Sequence, residues 1–243
     1  MKRSACFFAA MVWLALAGGM HSAGAAVIAD SVAEYSGTQG LNSWYYGYYN
    51  QSADADGTYQ TANFAQFDAY NANIWRRAVD GAGYYLSLNP LGGHPSGIGP
   101  APQTQVIWSM RRYVSEVAGP INIAFDLYKE NTQEPNGGGI TGHIFLNGAE
   151  IFSQFIANLD GVGVHGLLNR MVNAGDVIDF AIDPTGVPGA SGDNYQSARA
   201  DGSVFSAVVG EGFAAVPSPS TMALLPLGLL LIGAVRGRAR PAA

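Results

Sequence analysis

Gly142-His143-Ile144-Phe145-Leu146-Asn147-Gly148-Ala149-Glu150-Ile151-Phe152-Ser153-Gln154-Phe155-Ile156 sets two apolar-rich runs on either side of an Asn-Gly pair. A two-residue type I′ turn needs positive φ at both central positions, where Asn and Gly are least strained, so this stretch predicts a β-hairpin. Upstream, Ile121, Ile123, Phe125 and Leu127 alternate with Asn122, Ala124 and Asp126 directly after Gly119-Pro120. That is the pattern of a strand with one buried and one wet face. Gln105–Met110, Val177–Ile182 and Ser203–Val209 also have the length and composition of strands, and turn residues follow the last two at Asp183-Pro184 and Gly210. Between the hydrophobic ends of the chain, no run of ten or more residues keeps a 3.6-residue period.

Strands without intervening helices predict antiparallel pairing, because parallel strands need long crossovers. The expected fold is all-β, an antiparallel jelly-roll-like β-sandwich over residues 26–211 with about eight to ten short strands. Long loops are expected at Asn50–Tyr59, Pro90–Gln103 and Asp183–Asp201, which are rich in Gly, Pro, Asn and Asp.

Charged residues are 12% of the 243, with 12 basic against 18 acidic. Neutralising a phosphate backbone needs clustered Lys and Arg, so nucleic acid is excluded as a partner. One cysteine, Cys6, rules out an internal disulfide framework and thiolate-rich metal sites. Lys2 and Arg3, the apolar run Ala5–Ala17 and then Ala23-Gly24-Ala25 have the three parts of a secretory signal, giving a signal helix over residues 1–25 with cleavage after Ala25. At the other end, residues 212–219 form a linker and the start of Val216-Pro217-Ser218-Pro219-Ser220-Thr221. Residues 220–243 hold the apolar stretch Met222–Val235 and then Arg236, Arg238 and Arg240. A helix of this length is short for a bilayer, but the arginines directly after it favour a single transmembrane stop-transfer segment held by cytoplasmic charge. Lys2, Arg3 and these three arginines all lie in the ends. Without them, seven basic residues face 18 acidic ones, and the exported domain carries a formal charge of −11.

Val216-Pro217-Ser218-Pro219-Ser220-Thr221, with Ala223-Leu224-Leu225, Gly228-Leu229 and the arginine cluster, resembles the PEP-CTERM sorting signal of Gram-negative bacteria. Ser218 departs from the pattern, which usually has Glu between the prolines. The resemblance covers about the last 28 residues and implies processing by an exosortase, a membrane-embedded transpeptidase of organisms that make exopolysaccharide. Thr38-Gln39-Gly40, Trp44-Tyr45-Tyr46-Gly47-Tyr48-Tyr49, Arg111-Arg112-Tyr113-Val114, the hairpin and Ala174–Pro184 are, in that order, similar to secreted bacterial β-sandwich modules of carbohydrate-binding, jelly-roll type. That likeness implies a fold over roughly Ser31–Val209 more than any one activity; exopolysaccharide is the partner expected of the exported chain as a whole.

The sharpest binding candidates are aromatic. In an extended strand Trp44, Tyr46 and Tyr48 share one face and Tyr45 and Tyr49 the other. One face is available as a stacking platform for sugar rings, with Trp44, Tyr46 and Tyr48 as the glycan-binding candidates, while packing of both faces is the plainer outcome. A structural Ca²⁺ is the one cofactor considered, with Asp183, Asp193 and Asp201 as weak ligands in the last loop. Asp54-Ala55-Asp56-Gly57 lacks the bidentate Glu of a calcium loop. No catalytic residue is assigned: His94, His143 and His165 belong to no metal or triad motif, and no Gly-x-Ser-x-Gly elbow precedes a helix. Arg112 is expected to pair with Asp126 or Asp179. The reading is therefore a non-catalytic exported protein of the cell envelope or extracellular matrix that associates with exopolysaccharide. A polysaccharide-active hydrolase or lyase and a protein-binding adhesin are the alternatives.

Overall fold

The computed structural model describes residues 26–80, 85–99, 104–186 and 198–212. The segments read above as a signal and a sorting tail lie outside the described residues. Fifteen strands are present among the described residues: β1 (Val27–Asp30), β2 (Trp44–Asn50), β3 (Ala65–Gln66), β4 (Ala69–Asn71), β5 (Ile74–Arg76), β6 (Ser87–Leu88), β7 (Gly92–His94), β8 (Ser96–Ile98), β9 (Thr104–Val114), β10 (Gly119–Lys129), β11 (Ile140–Leu146), β12 (Ala149–Ile156), β13 (Val164–Val172), β14 (Val177–Asp183) and β15 (Ser203–Glu211). One sheet runs β13-β10-β15-β7-β6-β5-β4, with β1 also on β15. The other runs β12-β11-β14-β9-β2-β3, with β8 also on β9. All pairs are antiparallel.

The hairpin forms at the predicted place. Leu146 pairs with Ala149, and Asn147 and Gly148 have φ of 52° and 83°, the two positive values that a I′ turn requires. Ile121, Ile123, Phe125 and Leu127 of β10 all point into the sandwich. They meet Ile144, Ile178, Phe180 and Ile182 from the facing sheet in one core, where Phe180 lies edge-on to Phe205 with centroids 5.7 Å apart. Gly142 lets that contact close, because a Cβ there would press on the Leu127 methyl groups and the buried leucine would have to shift.

Three expectations change: the described residues hold fifteen strands rather than about eight to ten, because several are only two or three residues long. Pro90–Gln103 is not a plain loop, since it contains β7 and β8, which extend opposite sheets. Strand β13 has no counterpart among the expected strands. It is an edge strand on which burial alternates but apolar character does not, since Leu167 and Met171 sit on the outward face, 62% and 69% exposed.

At one end of β10, Lys129 Nζ sits 2.6 Å from Asp201 Oδ1 with both side chains fully buried. Ser203 Oγ donates to the Asp201 carbonyl, fixing the chain where it enters β15. His94, on neighbouring β7, donates from Nδ1 to the Pro95 carbonyl at 2.7 Å. Burial pushes its pKa down to about 4 against the pull of that carbonyl, and the Lys129 charge adds to the fall. Its folded-state pKa thus lies below the unfolded value of 6.5. The neutral ring's contribution is fully present above pH 6.5 and is lost as pH falls towards 4, a change of about 3 kcal/mol. Urea titrations between these pH values should show a shallower loss of stability for His94→Gln than for the parent; identical slopes would contradict this.

Candidate functional site

The aromatic block lies on β2, between β9 and the very short β3. Trp44 and Tyr46 are fully buried, which corrects their assignment as a sugar platform. The Trp44 indole N–H donates to Glu34 at 2.9 Å and the ring packs on Tyr113 and Phe180. Tyr46 stacks on Trp75 at 5.8 Å and accepts from the Ser36 N–H. Both rings are consumed because their face of β2 is the inner face of the sandwich.

Tyr48 is the member of that trio that reaches the surface. Its inner side rests on Phe67, at 5.5 Å, and the Arg77 guanidinium lies 5.3 Å from its ring centroid. β3 pairs with Gly47 and Tyr48 alone, so the edge of β2 beyond Tyr48 is uncovered. A cleft of about 350 Å³ opens there, lined by Tyr48, Tyr49, Asn50, Asp54, Asn63 and Arg77, with Ala53 and Ala65 at its sides. Several of these groups are already oriented. The Tyr49 hydroxyl donates to Asp54 at 2.7 Å, Asn50 Oδ1 accepts from the Ala53 N–H, Asn63 Oδ1 accepts from the Gln60 N–H, and Arg77 makes a two-pronged ion pair with Asp80. Amide, carboxylate and guanidinium groups beside a partly exposed aromatic ring supply both donors and acceptors to a polyhydroxyl ligand. The Arg77–Asp80 pair leaves the cleft without strong net positive charge.

A second cluster occupies the outer face of the same sheet, under the segment from Gln51 to Phe64. Tyr49, Tyr59, Val106, Trp108, Met110, Phe145 and Ala181 form a small separate core there, with Phe64 against it. Arg112 pairs with Asp179 as expected, through Nε at 2.7 Å and Nη2 at 3.0 Å, and Asp126 pairs with His165 instead. Arg112 also donates to the Tyr59 hydroxyl and the Thr61 carbonyl and lies over the Phe64 ring. Burial works against the Arg112 charge, but Asp179 outweighs it and holds the guanidinium pKa above its ordinary value.

His143 lies flat on Trp108, with centroids 4.9 Å apart and planes 7° from parallel. Its Nδ1 is 2.6 Å from Glu150 and 3.2 Å from Ser153 Oγ, and its Nε2 is 3.6 Å from Asp183. Burial opposes protonation, yet the Asp183 and Glu150 carboxylates prevail and raise the imidazole pKa. This cluster stands at the root of the loop after β14.

The two calcium candidates among the described residues, Asp183 and Asp201, are engaged by different partners. Asp183 faces His143 and accepts from the Thr185 N–H, Asp201 is held by Lys129, and Asp193 lies outside the described residues. Among the described residues no group of three His, Cys, Asp or Glu could hold a metal ion. No helix there is long and apolar enough to cross a membrane, and Val216–Thr221, expected to be a sorting motif, falls outside them with Arg236, Arg238 and Arg240. Asn50, Asp54, Asn63 and Arg77 were not anticipated as partners of Tyr48. They come from separate segments, and no spacing in the sequence announces their meeting.

No protein-family model and no curated protein matches the chain. Among solved structures, a β-glucosidase from Kluyveromyces marxianus in complex with glucose is similar over 70% of this chain, at 12% identity and a TM-score of 0.30. The match covers 16% of that enzyme, so the chain spans about one sixth of its length. A CBM51 module from Clostridium perfringens in complex with methyl-galactose is similar over 49% of this chain and 80% of its own, at 12% identity and a TM-score of 0.29. Tandem CBM51 modules of a family 98 glycoside hydrolase from Streptococcus pneumoniae are similar over 52% of this chain and 39% of theirs, at 9% identity and a TM-score of 0.28.

Proposed function

We propose that this chain is an exported, exosortase-processed β-sandwich of jelly-roll type that binds polysaccharide non-catalytically in the cell envelope or extracellular matrix. The Tyr48 cleft carries the binding reading: a partly exposed aromatic ring borders amide, carboxylate and guanidinium groups in about 350 Å³. The signal over residues 1–25 and the tail over residues 220–243 support export and sorting, with an inner-membrane precursor anchored by the C-terminal helix before processing. The formal charge of −11 favours neutral over acidic saccharides in this cleft.

Ala53 is exposed at the side of the cleft, so Ala53→Trp fills it without disturbing the core. Calorimetry with a panel of neutral cello-, galacto- and xylo-oligosaccharides should find binding by the parent, weakened at least tenfold in Ala53→Trp. No binding by the parent, or equal binding by both, would overturn the cleft assignment. For sorting, Pro217→Ala with Pro219→Ala should leave an unprocessed membrane-retained precursor in a host that has exosortase. Normal processing of that variant would refute the sorting role.

A polysaccharide-active enzyme is the second reading, favoured by Glu150 and Asp183 on opposite sides of His143. Release of reducing ends that disappears in Asp183→Asn or Glu150→Gln would move this reading ahead of the first.

A further inference from the structure

The outer face of the sheet containing β10 carries a groove of about 510 Å³ that shares no residue with the Tyr48 cleft. β10 forms its floor at Ala124, β13 one wall at His165 and Leu167, and the turn after β1 the other wall at Asp30 and Val32; Ser206 and Val208 of β15 lie between. This volume is in the range of small-ligand sites.

The polar groups in the groove are mainly acceptors. His165 Nδ1 is 2.6 Å from Asp126 Oδ1, and an ionised carboxylate accepts only, so the ring donates there and turns Nε2 away as an acceptor when neutral. Ser206 Oγ is 3.5 Å from the other Asp126 oxygen. Asp30 adds a second carboxylate, whose Oδ1 takes the Val32 and Ala33 N–H groups. His165 is 66% and Asp126 50% exposed, so both reach a ligand from solvent. Apolar surface lies beside them, chiefly Leu167 and Val32. The fitting ligand is therefore rich in donors, carries positive charge and has an apolar face.

We propose that this groove is a second saccharide site, specific for amino sugars with a free ammonium group. A pyranose offers C–H groups to Leu167 and Val32, while its ammonium and hydroxyl protons meet Asp126, Asp30 and His165 Nε2. Charge complementarity selects this occupant, since the exported domain carries −11 and this groove contributes two carboxylates and no Lys or Arg. The inference rests on the polysaccharide reading and extends it: with a neutral-sugar cleft elsewhere on the same domain, one molecule joins two different strands.

The test uses the exported protein and a fluorescein-labelled glucosamine hexamer, with the N-acetylated hexamer as its uncharged counterpart. Ala124→Trp fills the groove from an exposed position, and Asp126→Asn removes the charge with little change of shape. Both should weaken glucosamine-hexamer binding at least tenfold, Ala53→Trp should leave it unchanged, and the parent should prefer the free amine at least tenfold. Unchanged binding in both groove variants, or equal affinity for the two hexamers, would overturn the proposal. Loss of neutral-oligosaccharide binding in Ala53→Trp reports on the first cleft alone, so failure of either site is read separately.

Discussion

Lys129→Met is expected to destabilise the domain by about 3–5 kcal/mol, because it removes the ammonium 2.6 Å from the fully buried Asp201 carboxylate. Burial lowers the Lys129 pKa below its ordinary value, and the Asp201 carboxylate opposes that fall by favouring the charged ammonium. Methionine keeps most of the side-chain volume, and the cost measured is therefore electrostatic and not that of a cavity. Replacing both partners, as Lys129→Met with Asp201→Leu, should recover much of the loss, since an apolar pair has no charge to desolvate. Urea unfolding at pH 7 measures all three proteins. A single variant within about 1 kcal/mol of the parent would show that the pair contributes little.

Trp44→Ala is expected to cost a further large amount, about 3–5 kcal/mol, from the void left among Tyr113, Phe180 and their neighbours and from the loss of the indole bond to Glu34. The same change should leave oligosaccharide affinity of the folded protein unaltered. This combination separates a core tryptophan from a sugar-stacking one: a stable variant that no longer binds would reinstate Trp44 as a ligand contact. Calorimetric titration well below the melting temperature, alongside urea unfolding, reads both quantities.

How far the sequence could be read depended on whether the signal was local. Asn147-Gly148 declares its turn because its own backbone chemistry requires it, and the Ile121–Leu127 alternation declares a half-buried strand because side-chain direction reverses at every residue. The turn at Ala72-Asn73 has the same two positive φ values, 50° and 62°, yet Ala at such a position gives no warning. Leu167 and Met171 likewise obscured β13, since they are apolar and exposed at a sheet edge. Arg112 was expected to be paired, but the choice of Asp179 over Asp126 came from the register of β14 with β9, which sets Asp179 directly across from Arg112. His143, Glu150 and Ser153 were brought together by the hairpin, and Asp183 joined them through the pairing of β11 with β14.

The amino-acid sequence alone determined the all-β character, the hairpin at Asn147-Gly148, the strong acidity of the middle region and the distinct character of the two ends, because each depends on composition or on neighbours within a few residues. The tertiary structure decided which aromatic rings are accessible. Strand periodicity assigns Trp44, Tyr46 and Tyr48 to one face of β2 but says nothing about what covers that face. Packing against the second sheet buried Trp44 and Tyr46, while the early end of β3 left Tyr48 beside an opening whose other residues arrive from distant parts of the chain.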